Sequence, residues 1–216
     1  MVKNLDVPKD NKDVRSTVTI PVNGVSVEGV LRIPHNPRGI VLFAHGSGSG
    51  RHSPRNNFVA EVLIDYAMRF EIELLTERLI KATSWIRKQP HLKGLKLGYF
   101  GASTGAAAAL NAAARVGSDI RAVVSRGGRP DLAMDELAKV KSPTLLIVGE
   151  EDPEVLDLNR QAYQAIITTK KLEIIPNATH LFEETGTLEK AAEHASDWFK
   201  KYLSHNFKEG FREYDS

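Results

Sequence analysis

The chain has 216 residues, a length that favours one domain, and its 42% hydrophobic and 26% charged residues exclude fibrous and wholly disordered proteins. Its 29 basic and 27 acidic residues leave a formal charge of +2, which gives no reason to expect a nucleic-acid-binding surface. Cysteine is absent, so disulfides, a thiolate nucleophile and cysteine-based zinc sites are excluded. No apolar stretch approaches the about 20 residues that span a bilayer, and we expect a cytoplasmic protein.

The first predicted elements are a charged segment and a hairpin. Residues 1–13 are polar, and we expect them to be flexible. Between Val14 and Ile33, two runs alternate apolar and polar residues around Asn23-Gly24. Asn-Gly favours the positive φ angles of a type I′ turn, so the segment predicts a β-hairpin. The alternation is typical of an antiparallel edge pair with one face in water.

Five short apolar runs follow, and such runs are typical of strands buried on both faces of a parallel sheet. Helical spacing separates them, most clearly in residues 68–86 and 188–202. The sequence therefore predicts an α/β fold with a mostly parallel sheet and helices on both faces. We expect a single domain over residues 14–204, followed by a polar tail at 205–216. The predicted strands are Gly39–Ala44, Leu95–Phe100, Ile120–Val124, Thr144–Val148 and Leu172–Ile175.

Ligands of an open parallel sheet bind at the carboxyl ends of its strands, so the residues after each strand are the functional candidates. A glycine-rich loop, residues 45–50, follows the first of these strands, and Gly101-Ala102-Ser103-Thr104-Gly105 follows the second. An acidic turn at residues 150–152 follows the fourth strand, and a histidine, His180, follows the fifth. A serine, a carboxylate and a histidine in this order indicate nucleophilic acyl chemistry.

The serine motif is the strongest of these signals. G-x-S-x-G between a buried strand and a helix is typical of a nucleophile elbow, a tight turn that exposes the serine hydroxyl at the edge of the sheet. We expect Ser103 to have a strained backbone, with the glycines at positions 101 and 105 leaving room for the neighbouring strand and helix. The alternative is an ordinary strand-to-helix turn with a serine N-cap.

His180 is the predicted general base, because it lies between the last buried strand and the C-terminal helix. Other histidines lie in a helix, in the polar tail or in other loops. Asp152 is the predicted carboxylate that orients the imidazole. Glu150 and Glu151 are immediate rivals, since each is also placed to reach the histidine.

Two further segments concern binding. The glycine-rich loop does not fit a dinucleotide-binding loop, because G-x-G-x-x-G read from Gly46 requires a glycine where the chain has Arg51. Arg126 and Arg129 follow the third parallel strand and therefore lie on the predicted ligand side, where a guanidinium can bind an anionic substrate group bidentately. Arg51 has the same predicted role. Pairing with a carboxylate or a helix-end carbonyl of the protein is the alternative.

The chain resembles the dienelactone hydrolase-like branch of the α/β-hydrolase superfamily from Pro34 to Leu203, most specifically in VLFAHGSGSGRHSPRN, GYFGASTGAAAAL, AVVSRGGRPDLA, PTLLIVGEEDPEV and ATHLF. The resemblance implies an α/β-hydrolase fold and a triad of Ser103, His180 and Asp152. It also implies an oxyanion hole formed by the backbone N–H groups of Ser47 and Thr104. It implies no metal or organic cofactor.

The sequence departs from this family in two respects. Dienelactone hydrolase itself uses a cysteine nucleophile, whereas the serine at position 103 indicates hydrolysis of an ester or related acyl group. The family also places a strand between the helix after the glycine-rich loop and the next helix, and this region is short by about 20 residues. We therefore expect the usual fourth strand to be shortened or missing, with Leu63-Ile64-Asp65-Tyr66 as its remnant and a rearranged strand order around Val41.

The sequence predicts a serine hydrolase of carboxylesterase type, which cleaves a small ester or related acyl compound through an acyl-enzyme. An acyltransferase with the same triad and a catalytically weak binding protein with this fold are the alternatives. The shortened middle of the chain strengthens the case for the second alternative. The expected partner is a small-molecule ester, with no nucleic acid and no membrane, and a homodimer is left open.

Overall fold

The computed structural model describes residues 14–22, 25–33, 39–44 and 57–204. The predicted flexible segment 1–13, the Asn23-Gly24 turn and the polar tail 205–216 lie outside the described residues. None of the described helices combines the length and the hydropathy that crossing a bilayer requires. The strands are β1 (Val14–Val22), β2 (Val25–Ile33), β3 (Gly39–Ala44), β4 (Lys96–Ala102), β5 (Ile120–Arg126), β6 (Thr144–Gly149) and β7 (Lys170–Ile175), and the helices are α1 (Asn57–Lys88), α2 (Thr104–Val116), α3 (Met134–Leu137), α4 (Pro153–Ala165) and α5 (Thr187–Leu203).

Five strands form one parallel sheet in the order β3-β4-β5-β6-β7. Leu42 of β3 lies opposite Tyr99 of β4, and Val124 of β5 lies opposite Leu145 of β6. Every residue of β6 is buried, as expected for a strand that helices cover on both faces. The predicted α/β class and the parallel sheet are therefore confirmed.

The two faces of this sheet have different covers. On one face, α1, α2 and α4 pack around a core that includes Leu79, Leu97 and Leu110. On the other face, α5 packs against β4 to β7 around Val124 and Ile147. Helices therefore cover both faces, as predicted, but three of them share one face.

The predicted N-terminal hairpin is confirmed, but it stands apart from the parallel sheet. β1 and β2 pair antiparallel, from Val14 opposite Ile33 to Val22 opposite Val25, and form a two-stranded sheet of their own. The hairpin contacts α1 through β1. In the described part of the chain, β3 is thus the outermost strand on its side of the parallel sheet, and no strand joins it to the hairpin.

The described part of the region between β3 and β4 begins with one long helix. α1 runs without interruption from Asn57 to Lys88, so the predicted remnant strand at Leu63–Tyr66 is wrong, because these residues are helical. The physical reason is that residues 57–88 contain neither glycine nor proline, so nothing stops the strongly periodic second half from propagating the helix toward its N-terminus. The predicted absence of the usual fourth strand is confirmed for these residues.

Candidate active site

The predicted catalytic side chains of the described residues lie at one edge of the sheet. Because β4 to β7 are parallel, their carboxyl ends meet at that edge. Ser103 directly follows β4, Asp152 follows β6 in the turn before α4, and His180 lies in the loop after β7. The fold therefore gathers three groups that are separated by up to 77 positions in the sequence.

Ser103 occupies a sharp turn between β4 and α2. Its φ of 51° and ψ of −130° lie in a region that residues with a Cβ rarely adopt, which is the strained backbone predicted for this position. The turn depends on Gly101, because a Cβ at that position would lie 2.4 Å from the carbonyl oxygen of Gly105. The side chain of Ser103 does not cap α2, so the N-cap alternative is not what the structure shows.

His180 is paired with Asp152. The Nδ1 atom of the imidazole lies 2.6 Å from Oδ2 of the carboxylate, a short distance typical of a charge-assisted hydrogen bond. The Asp152 side chain is 14% exposed and the His180 side chain 41%, so the carboxylate is sheltered while the imidazole remains open to solvent. Of the two rival carboxylates, Glu150 accepts a hydrogen bond from the backbone N–H of Asn177, and Glu151 is exposed.

The loop after β5 lies between the serine turn and the histidine loop. The backbone N–H of Arg129 donates to the carbonyl oxygen of Ser103 at 3.1 Å. Gly127 has a φ of 50°, and a Cβ there would lie 3.2 Å from the carbonyl oxygen of His180 and 3.8 Å from Cε1 of its ring. Residues 127–129 thus contact both sides, which places Ser103 and His180 on either side of one short loop.

The histidine loop is held by contacts that the sequence analysis did not identify. Glu184 accepts hydrogen bonds from the hydroxyl of Thr179 at 2.6 Å and from its backbone N–H at 3.0 Å. These bonds, the hydroxyl's first, lower the pKa of Glu184 below its usual range. Phe182, with a φ of 59°, is buried and anchors the loop in the core. The spacing of Thr179 and Glu184 around the histidine is the only signal in the sequence for this brace.

The two described arginines of the predicted binding set have different environments. Arg129 forms a bidentate ion pair with Asp131, with nitrogen–oxygen distances of 2.9 and 2.8 Å. The guanidinium of Arg126 lies 5.2 Å from the centre of the Phe182 ring, and burial lowers its pKa. Arg129 thus makes the internal carboxylate pair that was the alternative to substrate binding. A substrate role for either arginine stays a prediction.

One of the two predicted oxyanion-hole donors, Thr104, lies in the described part of the chain. Thr104 is the first residue of α2, so its backbone N–H is at the positive end of the helix dipole. Its hydroxyl oxygen is buried and has no hydrogen-bond partner among the described residues. Ser47 and Arg51 lie outside the described residues. The described residues contain no cluster of three or more acidic or histidine side chains suited to a metal ion.

The model of the dienelactone hydrolase family matches residues 52–207, a range that includes Ser103, Asp152 and His180. The chain belongs to the dienelactone hydrolase family. The crystal structure of a dienelactone hydrolase from Anabaena variabilis is 49% identical, covers 88% of this chain and 99% of that chain, and has a TM-score of 0.77. The esterase domain of a Rhodothermus marinus protein shares the fold, with a TM-score of 0.65 at 17% identity over 88% of this chain and 100% of that one. The family and these neighbours support a hydrolase.

A curated relative from Mycobacterium tuberculosis H37Rv is 53% identical, and its name proposes a phosphoribosyl transferase. This chain spans about half of that relative, since the match covers 86% of this chain and 46% of the other. The match runs over 205 positions but draws on 86% of 216 residues, about 186, so about 19 positions have no counterpart in this chain. This number agrees with the shortening predicted between β3 and β4.

Proposed function

We propose that the protein is a serine hydrolase that cleaves a small ester or related acyl compound. In this proposal Ser103 is the nucleophile, His180 is the general base, and Asp152 orients the imidazole. The observation that carries it is the 2.6 Å hydrogen bond between Asp152 and His180, at the sheet edge where Ser103 occupies a strained turn.

The geometry supports a two-step reaction. Because Nδ1 of His180 is bound to Asp152, Nε2 is the ring nitrogen that takes the Ser103 proton while the serine oxygen attacks the ester carbonyl. The Asp152 carboxylate stabilises the resulting imidazolium. Nε2 then gives its proton to the departing alcohol, and the acyl group remains on Ser103. A water molecule activated by His180 hydrolyses this acyl-enzyme and restores the serine.

The negative charge that develops on the carbonyl oxygen needs hydrogen-bond donors. The backbone N–H of Thr104, at the N-terminus of α2, is the donor that we assign among the described residues. The N–H of Ser47 is the second donor in this proposal. Two such donors, aimed in advance at the oxyanion, contribute a few kcal/mol each to transition-state stabilisation, on the order of a hundredfold in rate or more.

The exposure of the histidine favours hydrolysis over acyl transfer. With 41% of its side chain exposed, His180 is accessible to the water that the second step consumes. An acyltransferase would instead exclude water from the acyl-enzyme. Supplying an alcohol acceptor together with the ester and separating the products distinguishes the two, and we expect the free acid as the main product.

We do not assign to this chain the phosphoribosyl transfer that the name of the mycobacterial relative proposes. The part of this chain that the dienelactone hydrolase model matches, residues 52–207, contains the three triad residues assigned above, Ser103, Asp152 and His180. More than half of the relative lies outside the match. We therefore assign hydrolase chemistry to this chain and no transfer of phosphoribosyl groups.

Labelling with a fluorophosphonate tests the nucleophile. The serine oxygen displaces fluoride from phosphorus, so intact mass measurement should show one adduct on the unaltered protein and none on Ser103→Ala. Ser118→Ala is the matched control, because Ser118 is an exposed serine just beyond α2 and its loss should leave the label in place. An adduct of undiminished yield on Ser103→Ala would contradict the proposal.

A further inference from the structure

Asn159 is a fully buried asparagine in α4, the helix that begins directly after Asp152. Its amide nitrogen donates to the carbonyl oxygen of Gly128 at 2.9 Å and to that of Val155 at 2.8 Å. Because both partners are acceptors, the nitrogen is the amide atom that faces them. The bond to Val155 stays within α4, whereas the bond to Gly128 joins α4 to the loop after β5.

The loop that this amide binds contacts both the serine turn and the histidine loop. One residue beyond Gly128, the backbone N–H of Arg129 donates to the carbonyl oxygen of Ser103. One residue before it, Gly127 lies against the backbone and the ring of His180. A displacement of the loop at its centre would therefore disturb contacts with the nucleophile and with the general base together.

The surroundings of Gly128 hold the loop from two further sides. A Cβ at this position would overlap the hydroxyl oxygen of Ser125 and lie 2.5 Å from Cβ of Ala106 in α2. The backbone N–H of Gly127 donates to the carbonyl oxygen of Ile147 in β6 at 2.8 Å. The loop thus rests against α2 and β6, and the asparagine ties it to α4.

Asn159 lowers stability in a way that an apolar residue at the same position would not. Its Oδ1 atom is buried and has no hydrogen-bond partner among the described residues. An unsatisfied buried acceptor is destabilising, and a leucine, which has the same branching, would remove it. A buried polar group with such a cost indicates a role other than stability, and the bond to Gly128 is the contact that supplies one.

We propose that Asn159 is a positioning residue for the hydrolysis. It fixes residues 127–129 relative to α4 and thereby holds Ser103 and His180 at the distance that proton transfer requires. The inference rests on the proposed function, in which these two side chains exchange a proton. Asp152 precedes α4 and Asn159 lies about two turns further along, so one helix positions both the carboxylate and the loop.

Asn159→Leu tests this role by steady-state kinetics, with Asn111→Leu as the matched control. Asn111 is a buried asparagine of α2 whose Oδ1 atom is also unpartnered among the described residues, and no hydrogen bond joins it to residues 127–129 in the described part of the chain. Because misplaced reacting groups slow the chemical step more than they weaken binding, we expect Asn159→Leu to lower kcat for an activated ester about 10- to 100-fold and to change KM less than about threefold. The control should keep both constants within about threefold.

A second variant covers the case in which leucine, the larger side chain, prevents folding. Asn159→Ala removes the amide without adding volume, and we expect the same division between kcat and KM. Circular dichroism at the assay temperature checks that each variant is folded. Losses of the same size in the variants of Asn159 and Asn111 would show a general packing effect and would overturn the inference.

Hydrogen exchange measured by NMR reads the same contact without catalysis. The bond to Ser103 protects the backbone N–H of Arg129, so this proton should exchange at least about tenfold faster in Asn159→Leu and within about twofold of the unaltered rate in Asn111→Leu. Unchanged protection of Arg129 in Asn159→Leu, or an unchanged kcat, would overturn this inference and leave the proposed function intact. Absence of ester hydrolysis by the unaltered protein would overturn the proposed function, and the exchange of Arg129 would still decide whether Asn159 holds the loop.

Discussion

The N-terminal part of the described chain, up to residue 88, and the C-terminal part, residues 93–203, differ in how completely their elements are paired. In the C-terminal part, β4, β5 and β6 each have a strand on both sides, and helices cover them. In the N-terminal part, the hairpin is a separate sheet, β3 has a strand on one side among the described residues, and α1 is longer than the strands on which it packs.

This difference coincides with the distribution of the candidate catalytic groups. The strained turn at Ser103, the Asp152–His180 pair and the brace by Glu184 all belong to the C-terminal part. The shortening between β3 and β4 falls in the N-terminal part. We therefore expect substitutions in the two parts to have unequal effects, which the following predictions address.

Asp152→Asn should have the largest effect. It keeps the size of the side chain but removes the charge and favours the wrong histidine tautomer, so kcat for an activated ester should fall about 10³- to 10⁴-fold. Steady-state kinetics measure this loss of kcat. Glu150→Gln, which alters a neighbouring carboxylate bound to Asn177, should change kcat less than about threefold, a level we expect of a bond that only holds the loop. Equal losses in both variants would reject Asp152 as the orienting residue.

Gly101→Ala should strongly reduce the stability of the fold. The new Cβ would lie 2.4 Å from a backbone oxygen and 2.6 Å from the Cα of Ala106, so the turn must shift. We expect the free energy of unfolding to fall by about 3 to 4 kcal/mol in urea titrations. Gly94→Ala is the control, because no atom of the described residues lies within 4 Å of its Cβ position, and a change of at most about 1 kcal/mol is expected there.

Because Tyr99 is buried, we expect the protein to lose stability at alkaline pH. Burial raises its pKa to about 12 from an ordinary 10, against the opposing effect of the hydrogen bond with Thr83. Because the folded state holds the proton more tightly, this contribution is complete below pH 10 and disappears as the pH rises to 12. It amounts to about 2 to 3 kcal/mol. Unfolding titrations at pH 9 and 11.5 should show this loss in the unaltered protein and a smaller one in Tyr99→Phe, and identical losses would contradict it.

The hairpin should contribute least to stability. An isolated two-stranded sheet is marginal in water, so amide protons of β1 and β2 should exchange with opening free energies below about 2 kcal/mol. Those of β5 and β6 should approach the global free energy of unfolding, and hydrogen exchange read by mass spectrometry compares them in one sample. Equal protection in both regions would show that the hairpin is docked as firmly as the sheet.

Most of the fold and much of the site could be predicted because the signals were local. Short apolar runs predicted β4 to β7 within a few residues, and G-x-S-x-G predicted the strained turn at Ser103. The remnant strand at Leu63–Tyr66 could not be predicted correctly, since its apolar run fits a strand and a buried helix equally well and the neighbouring helix decided the outcome. The choice of Asp152 over Glu150 and Glu151 was also open in the sequence. The side chains of adjacent residues point in different directions, and only the conformation of the turn decides which of them faces the histidine.

The amino-acid sequence by itself determined the α/β class, the order of the strands along the chain and the residue types at each strand end, since periodicity, glycine spacing and charge are properties of short segments. The tertiary structure decided which carboxylate meets the imidazole, that Arg129 is engaged by Asp131, and that the hairpin is separate from the sheet. These outcomes depend on distances between segments far apart in the chain, and such distances follow from the packing of whole elements.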